Sequence, residues 1–223
     1  MKNLNKVDYK ICIVGLGYVG LPLAARFSLK GFDVTGFDIK EERINQLVNK
    51  IDINKDISDI NLETLTKNSK LTSNIDEIKE SNIFIVTVPT PINDDKTPDL
   101  NPLKVSSELV GGLMQKDSIV IYESTVYPGV TDEVCTPILE ERSNLIFNKD
   151  FSTGYSPERI VPGDKVNTIE TITKIVSASN KDALDVISFL YSSIIDAGVY
   201  QASSIKVAEA AKVTENIQRD VNI

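Results

Sequence analysis

The sequence predicts an α/β fold: a doubly wound, mostly parallel Rossmann-type sheet followed by the start of a long connecting helix. Three observations lead to this prediction. Strand and helix patterns alternate along the 223 residues, a glycine turn follows the first strand pattern, and an acidic residue ends the second. The Rossmann-type domain is predicted over residues 1–202, and the truncated start of the connecting helix over residues 203–223.

Short apolar runs between polar segments predict the strands. The run at residues 11–14 is mostly β-branched, and the runs at 83–88 (IFIVTV) and 118–123 (SIVIYE) are equally typical of strands buried on both faces. Proline stops the second of these runs at Pro89. In chain order, the predicted strands cover residues 11–14, 33–38, 71–72, 83–88, 118–123, 151–156, 173–177 and 199–202.

Longer helix-forming stretches separate the strands. In chain order, the predicted helices cover residues 21–30, 40–49, 62–68, 75–80, 103–115, 131–142, 181–195 and 204–223. The last of them shows no cap, no glycine and no terminating proline. Because a natural chain rarely ends inside an uncapped amphipathic helix, we expect that further sequence once followed it.

Residues 10–20 read KICIVGLGYVG, so a strand, a glycine turn and a helix follow in the order that the dinucleotide fingerprint requires. Gly15 permits the tight turn, Gly17 lets the backbone approach a pyrophosphate, and Gly20 lets helix and strand pack closely. The free N–H groups at the start of the helix would face the phosphates. The predicted cofactor-binding residues of this turn are Gly15, Leu16, Gly17, Tyr18, Val19 and Gly20.

The acid at the end of the second strand pattern favours NAD over NADP. Asp38 lies where a carboxylate accepts hydrogen bonds from the adenosine ribose hydroxyls. It would repel a 2′-phosphate, because one like-charge pair at about 4 Å costs roughly 4 kcal/mol at an effective dielectric constant near 20. Arg43 argues the other way, since an arginine just beyond the acid can accommodate that phosphate. Asp38 occupies the ribose position itself, so NAD is the predicted cofactor, with Arg43 among its contacts.

Composition excludes several classes of partner. The net charge of −8 argues against binding to nucleic acid or to an anionic membrane surface, which requires a basic face. No apolar run reaches the length of a membrane span, and the N-terminal residues lack the apolar core of a signal peptide. We therefore expect a cytoplasmic protein, and we expect no metal site.

Neither cysteine is predicted to act in catalysis. Cys12 falls in the first strand pattern and Cys135 in a predicted helix, and both are expected to be buried small hydrophobic residues. The chain contains no histidine, the usual proton carrier near neutral pH. Acid–base chemistry must then fall to carboxylates, lysines or bound water.

Hydroxyl side chains follow two strong strand patterns, at the sheet edge where open α/β proteins bind their ligands. Thr90 follows residues 83–88, and Ser124 and Thr125 follow residues 118–123. These positions suit the nicotinamide half of the cofactor. Capping of the following turn is an equally good interpretation for each of them.

Charged residues near the end of the chain supply further candidates. Glu158, between Pro157 and a predicted turn at residues 162–163, is a candidate general base or a solvated loop acid. Lys212 and Asn216 are four residues apart and share one face of the last predicted helix. Glu209 lies one turn earlier, so a surface ion pair is the favoured interpretation of that face.

Several motifs together resemble one family, the nucleotide-sugar 6-dehydrogenases of the UDP-glucose and GDP-mannose dehydrogenase superfamily. The matching stretches are GLGYVGLPLA, VPTP, ESTVYPG, YSPERIVPGDK and AEAAKVTEN, in the order found in the family. The sequences of the stretches VPTPINDDKTPDLNPL and SPERIVPGDK are most similar to the UDP-N-acetylhexosamine branch, and within it to the enzymes of Vi-type capsular polysaccharide synthesis.

The resemblance implies a four-electron oxidation, in which a C6 alcohol becomes a carboxylate while two NAD⁺ are reduced. By motif match, Thr125 would hold a catalytic water and Glu158 would act as general base. Lys212 and Asn216 would stabilise the developing oxyanion at O6. The residues expected to contact the UDP-sugar are Glu158, Arg159, Lys212 and Asn216. The full-length enzyme would be a homodimer with its contact at the connecting helix.

One departure from the family limits what this chain is expected to do. The nucleophilic cysteine of the family lies in a later motif, GFGG-x-C-F-P-K-D, and nothing like it occurs here. We therefore expect the N-terminal half of such an enzyme, inactive alone. A UDP-glucose or GDP-mannose dehydrogenase, a β-hydroxyacid or 6-phosphogluconate-type dehydrogenase, and a non-catalytic dinucleotide-sensing module are the alternatives.

Overall fold

A mostly parallel sheet forms the centre of the computed structural model, which describes residues 4–159 and 169–222. The strands within these residues are β1 (Lys10–Val14), β2 (Asp33–Phe37), β3 (Lys70–Thr72), β4 (Ile83–Val86), β5 (Ser118–Tyr122), β6 (Phe151–Tyr155), β7 (Lys174–Ala178) and β8 (Val199–Gln201). They lie in the order β3-β2-β1-β4-β5-β6-β7-β8. Neighbouring strands are parallel except for β6 and β7, which are antiparallel.

Helices connect these strands and cover both faces of the sheet. They are α1 (Gly20–Leu29), α2 (Glu41–Val48), α3 (Asp59–Asn68), α4 (Asn101–Gly111), α5 (Thr136–Ser143), α6 (Lys181–Ser192) and α7 (Ile205–Val221). Successive residues of β1 show why both faces need cover. Ile11 and Ile13 pack into one hydrophobic cluster, whereas Cys12 and Val14 pack into the other. The doubly wound, mostly parallel fold predicted from the sequence is thereby confirmed.

Several predicted helices differ from those observed, and α4 and α6 end four and three residues earlier than predicted. Residues 75–80 contain only a 3₁₀ turn, Ile75–Glu77. Helix α3 begins at Asp59 rather than at residue 62, because the Ser58 side chain accepts a hydrogen bond from the Asn61 N–H and caps the helix. The helix predicted over residues 131–142 begins with a π-helical turn, Thr131–Cys135, before α5.

The prediction that the last helix has no cap is wrong at its N-terminus. The Ser204 side chain accepts a hydrogen bond from the Val207 N–H and begins α7. The helix then lies against β6 and β7, so its first turns pack onto the sheet that precedes it. The division of the chain at residues 202 and 203 stays a prediction.

Both cysteines are buried, as predicted, with exposed fractions of 0% for Cys12 and 1% for Cys135. Burial raises the thiol pKa of each residue, that of Cys135 to about 11. Neither side chain is therefore a nucleophile near neutral pH. Along the described parts of the chain, no helix combines the length and apolar character needed to cross a bilayer.

Candidate active site

A cavity of about 760 Å³ opens at the carboxyl ends of β1, β4 and β5. Parallel strands end at the same edge of the sheet, so the loops that follow them meet there. One part of the cavity wall carries the glycine turn and Asp38, and another carries Thr125, Glu158 and Lys212. The tertiary structure thus brings residues from across the chain to one enclosed space.

The glycine turn has the geometry that a pyrophosphate site requires. Gly15 has a φ of +101°, which favours glycine. A Cβ on Gly20 would lie 1.8 Å from the Gly15 carbonyl oxygen, whereas a Cβ on Gly17 would meet no atom within 4 Å. Gly20 therefore serves the close packing of the turn, and Gly17 leaves the backbone open to a ligand. Helix α1 begins here, so its free N–H groups lie beside the cavity.

Thr87 fixes this turn from the neighbouring strand, a role that the sequence analysis missed. Its hydroxyl lies 3.1 Å from the Val14 carbonyl oxygen and 2.7 Å from that of Gly15, and it donates to these acceptors. Thr87 follows β4 immediately, and its side chain is buried. The signal that the sequence offered for this contact is a threonine at the end of a buried strand.

Asp38 lies at the cavity wall with both carboxylate oxygens engaged by the main chain. One oxygen accepts a hydrogen bond from the Leu16 N–H and the other from the Lys40 N–H, each over 2.9 Å. These bonds fix the carboxylate beside the glycine turn, where the adenosine ribose would lie.

Arg43 is held inside the protein. Its Nε donates to the Leu16 carbonyl oxygen over 3.0 Å, and its guanidinium pairs with Asp52 at 3.0 Å and Asp56 at 3.3 Å. All three side chains are nearly buried, with at most 11% of the surface of each exposed. Arg43 lies outside the set of residues that lines the cavity. This arrangement braces the glycine turn and engages the guanidinium with two carboxylates.

The three candidate hydroxyl residues all line the cavity. The Ser124 hydroxyl donates to the Val88 carbonyl oxygen and so ties the loop after β5 to the loop after β4. Thr90 Oγ1 is buried and has no hydrogen-bond partner among the described residues. Thr125 is exposed to the cavity. Neither Ser124 nor Thr90 makes a capping bond there.

A buried ion cluster stands behind Glu158. The Lys174 ammonium lies 2.7 Å from the Glu123 carboxylate and 2.8 Å from the Glu158 carboxylate. The Tyr191 hydroxyl donates to the other oxygen of Glu123. The side chains of Lys174, Glu123 and Glu158 are 4%, 0% and 9% exposed. The solvated loop acid that the sequence analysis allowed for Glu158 is therefore wrong.

Burial and charge act against each other in this cluster. Burial raises the pKa of Glu123, although Lys174 opposes the rise. Burial by itself would lower the pKa of Lys174, but the two carboxylates outweigh it and the pKa is raised. Burial also raises the pKa of Tyr191 well above its ordinary value. Lys174 thus carries a positive charge that the buried carboxylates of Glu123 and Glu158 offset.

The sequence analysis assigned no role to Lys174, Glu123 or Tyr191. Lys174 falls inside a predicted strand, and Glu123 ends one. A charged residue in a buried strand pattern is the signal in the sequence that indicates a special role. The partners could not be read from that signal, because Lys174 lies 51 residues from Glu123 in the chain.

Helix α7 contributes Lys212 to the cavity wall. Lys212 is 8% exposed, and burial lowers the pKa of its ammonium. Asn216, one turn further on, is half-buried and lies outside the cavity lining. Arg159 also lies outside it, because its guanidinium pairs with Glu215 of α7 at 3.1 Å. The structure therefore brings Thr125, Glu158 and Lys212 together at the cavity and places the other two residues beside them.

The interpretation of Glu209 as part of a surface ion pair is wrong. Glu209 is fully buried, and its carboxylate accepts hydrogen bonds from the Gly129 N–H, the Thr131 N–H and the Thr131 hydroxyl. These bonds anchor α7 to the loop that follows β5. They fix the part of α7 that carries Lys212, which lines the same cavity as Thr125. The turn predicted at residues 162–163 lies outside the described residues.

The fold and the cavity define an NAD-binding domain of the dehydrogenase class. More specifically, the chain belongs to the UDP-glucose/GDP-mannose dehydrogenase family, because the NAD-binding domain of that family matches residues 9–195. The family and the cofactor expected from the sequence are thereby confirmed.

Individual relatives are consistent with this assignment. The chain is 54% identical to protein CapL of Staphylococcus aureus and 53% identical to UDP-N-acetyl-D-glucosamine 6-dehydrogenase of Salmonella typhi, in each case over 97% of this chain and 50% of the relative. Its structure resembles UDP-D-ManNAc dehydrogenase of Pyrococcus horikoshii with a TM-score of 0.88 and 33% identity, over 96% of this chain and 51% of that one. The chain spans about half the length of the curated relatives it matches.

Proposed function

We propose that this chain is the NAD-binding half of a nucleotide-sugar 6-dehydrogenase that oxidises the C6 alcohol of a UDP-N-acetylhexosamine to the uronate, for polysaccharide precursor synthesis. The single observation that carries the proposal is the shared cavity. It joins the glycine turn and Asp38 to Thr125, Glu158 and Lys212. The 53% identity to a UDP-N-acetyl-D-glucosamine 6-dehydrogenase favours this substrate over UDP-glucose or GDP-mannose.

In the proposed reaction, one alcohol, two NAD⁺ and one water give one carboxylate, two NADH and three protons. When bound, NAD⁺ supplies the electron acceptor for both oxidation steps. The Lys212 ammonium stabilises negative charge as it develops on O6, and Asn216 assists it from the next turn of α7. The Thr125 hydroxyl holds a water, and Glu158 takes a proton from that water as it attacks the carbonyl carbon.

The cofactor contacts in the proposal follow the geometry of the turn. Residues 15–20 hold the pyrophosphate, Asp38 accepts hydrogen bonds from the ribose, and Thr90, Ser124 and Thr125 line the path of the nicotinamide half. Arg43 contributes through its bond to the Leu16 carbonyl oxygen, which keeps the turn in place. Arg159 supports the substrate end of the cavity through its pair with Glu215.

We further propose that this chain of 223 residues does not complete the oxidation by itself. The family uses a cysteine nucleophile from a later motif, and Cys12 and Cys135 are both buried with raised thiol pKa values. In the complete enzyme, α7 would form a homodimer contact, and the protein would act in the cytoplasm. The exposed apolar side chains of Val207, Ile217 and Val221 on α7 support such a contact.

Binding measurements on the chain test this proposal. Calorimetry should show tighter binding of NAD⁺ than of NADP⁺. Asp38→Asn should reduce the difference between the two affinities. Saturation-transfer NMR in the presence of NAD⁺ should show contacts to UDP-N-acetylglucosamine that weaken in Lys212→Met. Lys181→Met, which removes an exposed lysine of α6, is the matched control.

Each alternative gives a different result in the same measurements. A dinucleotide sensor would bind NAD⁺ and ignore every nucleotide sugar. A UDP-glucose or GDP-mannose dehydrogenase would prefer the corresponding sugar nucleotide. Tighter binding of NADP⁺ would contradict the role given to Asp38, and steady NADH production by the chain alone would contradict the need for a further nucleophile.

A further inference from the structure

Lys174 is a buried lysine shared by two buried carboxylates. Its ammonium lies within 2.8 Å of both Glu123 and Glu158, and 5.5 Å from the centroid of the Tyr191 ring. The three charged residues come from three different parts of the sheet: the end of β5, the segment after β6, and β7. A cluster assembled in this way is a property of the tertiary fold and not of one local segment.

The two carboxylates differ in their surroundings. The carboxylate of Glu123 is fully buried, and its oxygens accept hydrogen bonds from Lys174 and from the Tyr191 hydroxyl. Glu158 lies at the cavity wall, where its second oxygen accepts a hydrogen bond from the Arg159 N–H at 2.6 Å. Both residues line the cavity, but the Glu123 side chain is 0% exposed and the Glu158 side chain is 9% exposed, so Glu158 is the one placed to exchange a proton with a ligand.

We propose that Lys174, held by Glu123 and Tyr191, is a positioning residue that fixes the Glu158 carboxylate at the cavity and lets it gain or lose a proton. With two carboxylates for one ammonium, Lys174 always has a counter-ion. When Glu158 takes a proton from water, Glu123 still neutralises Lys174, and no unpaired charge is left in the interior. When Glu158 is ionised, the ammonium holds its oxygen over 2.8 Å.

The catalytic part of this proposal rests on the proposed function, because only the proposed reaction gives Glu158 a proton to accept. Among the described residues, the charged and titratable groups around Glu158 include Lys174 of β7, Glu123 after β5, Tyr191 of α6 and Lys212 of α7. Lys212 faces the cavity, and burial lowers its pKa, so it acts on the ligand side of Glu158. Lys174 acts from the protein side.

The variant for the test must keep the buried charge balanced. Lys174→Met alone leaves two buried carboxylates and can fail to fold. The double variant Lys174→Met with Glu123→Gln removes one positive and one negative charge, so the net charge of the cluster is unchanged. Lys181→Met serves as the control for removal of a lysine, since Lys181 is 71% exposed and lies on the surface of α6.

Carbon-13 NMR of the glutamate carboxyls in this chain, with Glu158→Gln to assign the signal, measures the proton affinity of Glu158. Lys174 contacts Glu158 directly and lowers its proton affinity, whereas the Glu123 carboxylate raises it. Loss of both should therefore raise the affinity in the double variant, by less than the roughly 10- to 1,000-fold expected for loss of an opposite charge alone. It should be unchanged in Lys181→Met. An unchanged titration of Glu158 in a folded double variant would overturn the proposal and leave Lys174 a merely structural role.

A kinetic measurement on the full-length protein that contains this chain connects the cluster to catalysis. The double variant should lower kcat with little change in KM, and the acid limb of the rate profile should move to higher pH. A change confined to KM would overturn the positioning role. The NMR result does not depend on the substrate, so a shifted titration without any dehydrogenase activity would count against the proposed function and leave the cluster's effect on Glu158 intact.

Discussion

The two ends of the cavity are built in different ways. The dinucleotide end is built mainly from residues 10–38, with Thr87 and Arg43 fixing the glycine turn, and its shape depends on main-chain atoms and on the absence of a Cβ at glycine. The other end draws Glu123, Glu158, Lys174 and Lys212 from separate segments, and buried charges hold it together. The first end depends on the shape of the backbone. The second depends on charge balance, so single substitutions there should have larger effects on stability.

The largest expected effect is at the charged end. Lys174→Met should lower the free energy of unfolding by about 3–5 kcal/mol, because it leaves two buried carboxylates without a counter-ion. Urea unfolding followed by circular dichroism measures the loss. Lys181→Met should stay within about 0.5 kcal/mol of the parent, as is usual for a surface site. Equal losses in the two variants would mean that the buried cluster contributes no special stability.

The next prediction distinguishes two roles of glycine at the dinucleotide end: packing of the turn at Gly20 and ligand contact at Gly17. Gly20→Ala should lower stability by about 1–3 kcal/mol or more, since its Cβ would lie 1.8 Å from the Gly15 oxygen. Gly17→Ala should leave the unfolding midpoint nearly unchanged but weaken NAD⁺ binding at least about tenfold, or about 1.4 kcal/mol. Thermal unfolding and calorimetry measure the two quantities. Full NAD⁺ affinity in Gly17→Ala would contradict the close approach of the pyrophosphate.

A smaller effect of opposite sign is expected at Lys212. Burial lowers the pKa of this lysine, so its charged form destabilises the folded state fully at pH values below that pKa. The cost decreases between the lowered pKa and the unfolded-state value of about 10.4, and it is absent above that value. Lys212→Met should therefore stabilise the chain near neutral pH by about 0.5–2 kcal/mol. Denaturant unfolding at pH 7 and pH 10 tests this, since the advantage should shrink at the higher pH. A destabilised variant would show that Lys212 is held by favourable contacts instead.

The smallest effect concerns the ion pairs that join α7 to the segment after β6. Burial opposes ionisation of Glu215, but hydrogen bonds from Arg159 and Arg219 outweigh it and lower the pKa. The resulting stability is present above the unfolded-state pKa of about 4.3 and is lost as the pH falls through the lower folded value.

Because this carboxylate is partly solvated, Glu215→Gln should cost only about 0.2–1 kcal/mol at pH 7. The difference from the parent should vanish in acid, as measured by unfolding at a series of pH values. Glu141→Gln, at an exposed glutamate of α5, is the control. A cost that persists below pH 3 would assign the effect to packing and not to charge.

The contrast between the two ends also explains what the sequence could predict. Gly15, Gly17 and Gly20 were assigned to one turn, and Asp38 to the end of the second strand, because these positions follow from one local strand–turn–helix–strand pattern. Glu209 was misinterpreted, because helical spacing relates it to its own helix and not to the Gly129 and Thr131 amides that it binds. Lys174 was overlooked because its partners come from other strands.

The sequence by itself determined the alternating strands and helices, the glycine turn and the preference for NAD, since each depends on local geometry or on a single charge near the ribose. Only the tertiary structure decided that Arg43 is enclosed by Asp52 and Asp56, and that Lys174 joins Glu123 to Glu158. The physical reason is that burial and charge pairing are set by neighbours in space. The neighbours of Lys174 are brought together by strands that are far apart in the chain, whereas those of Arg43 lie 9 and 13 residues further along, in the segment between α2 and α3.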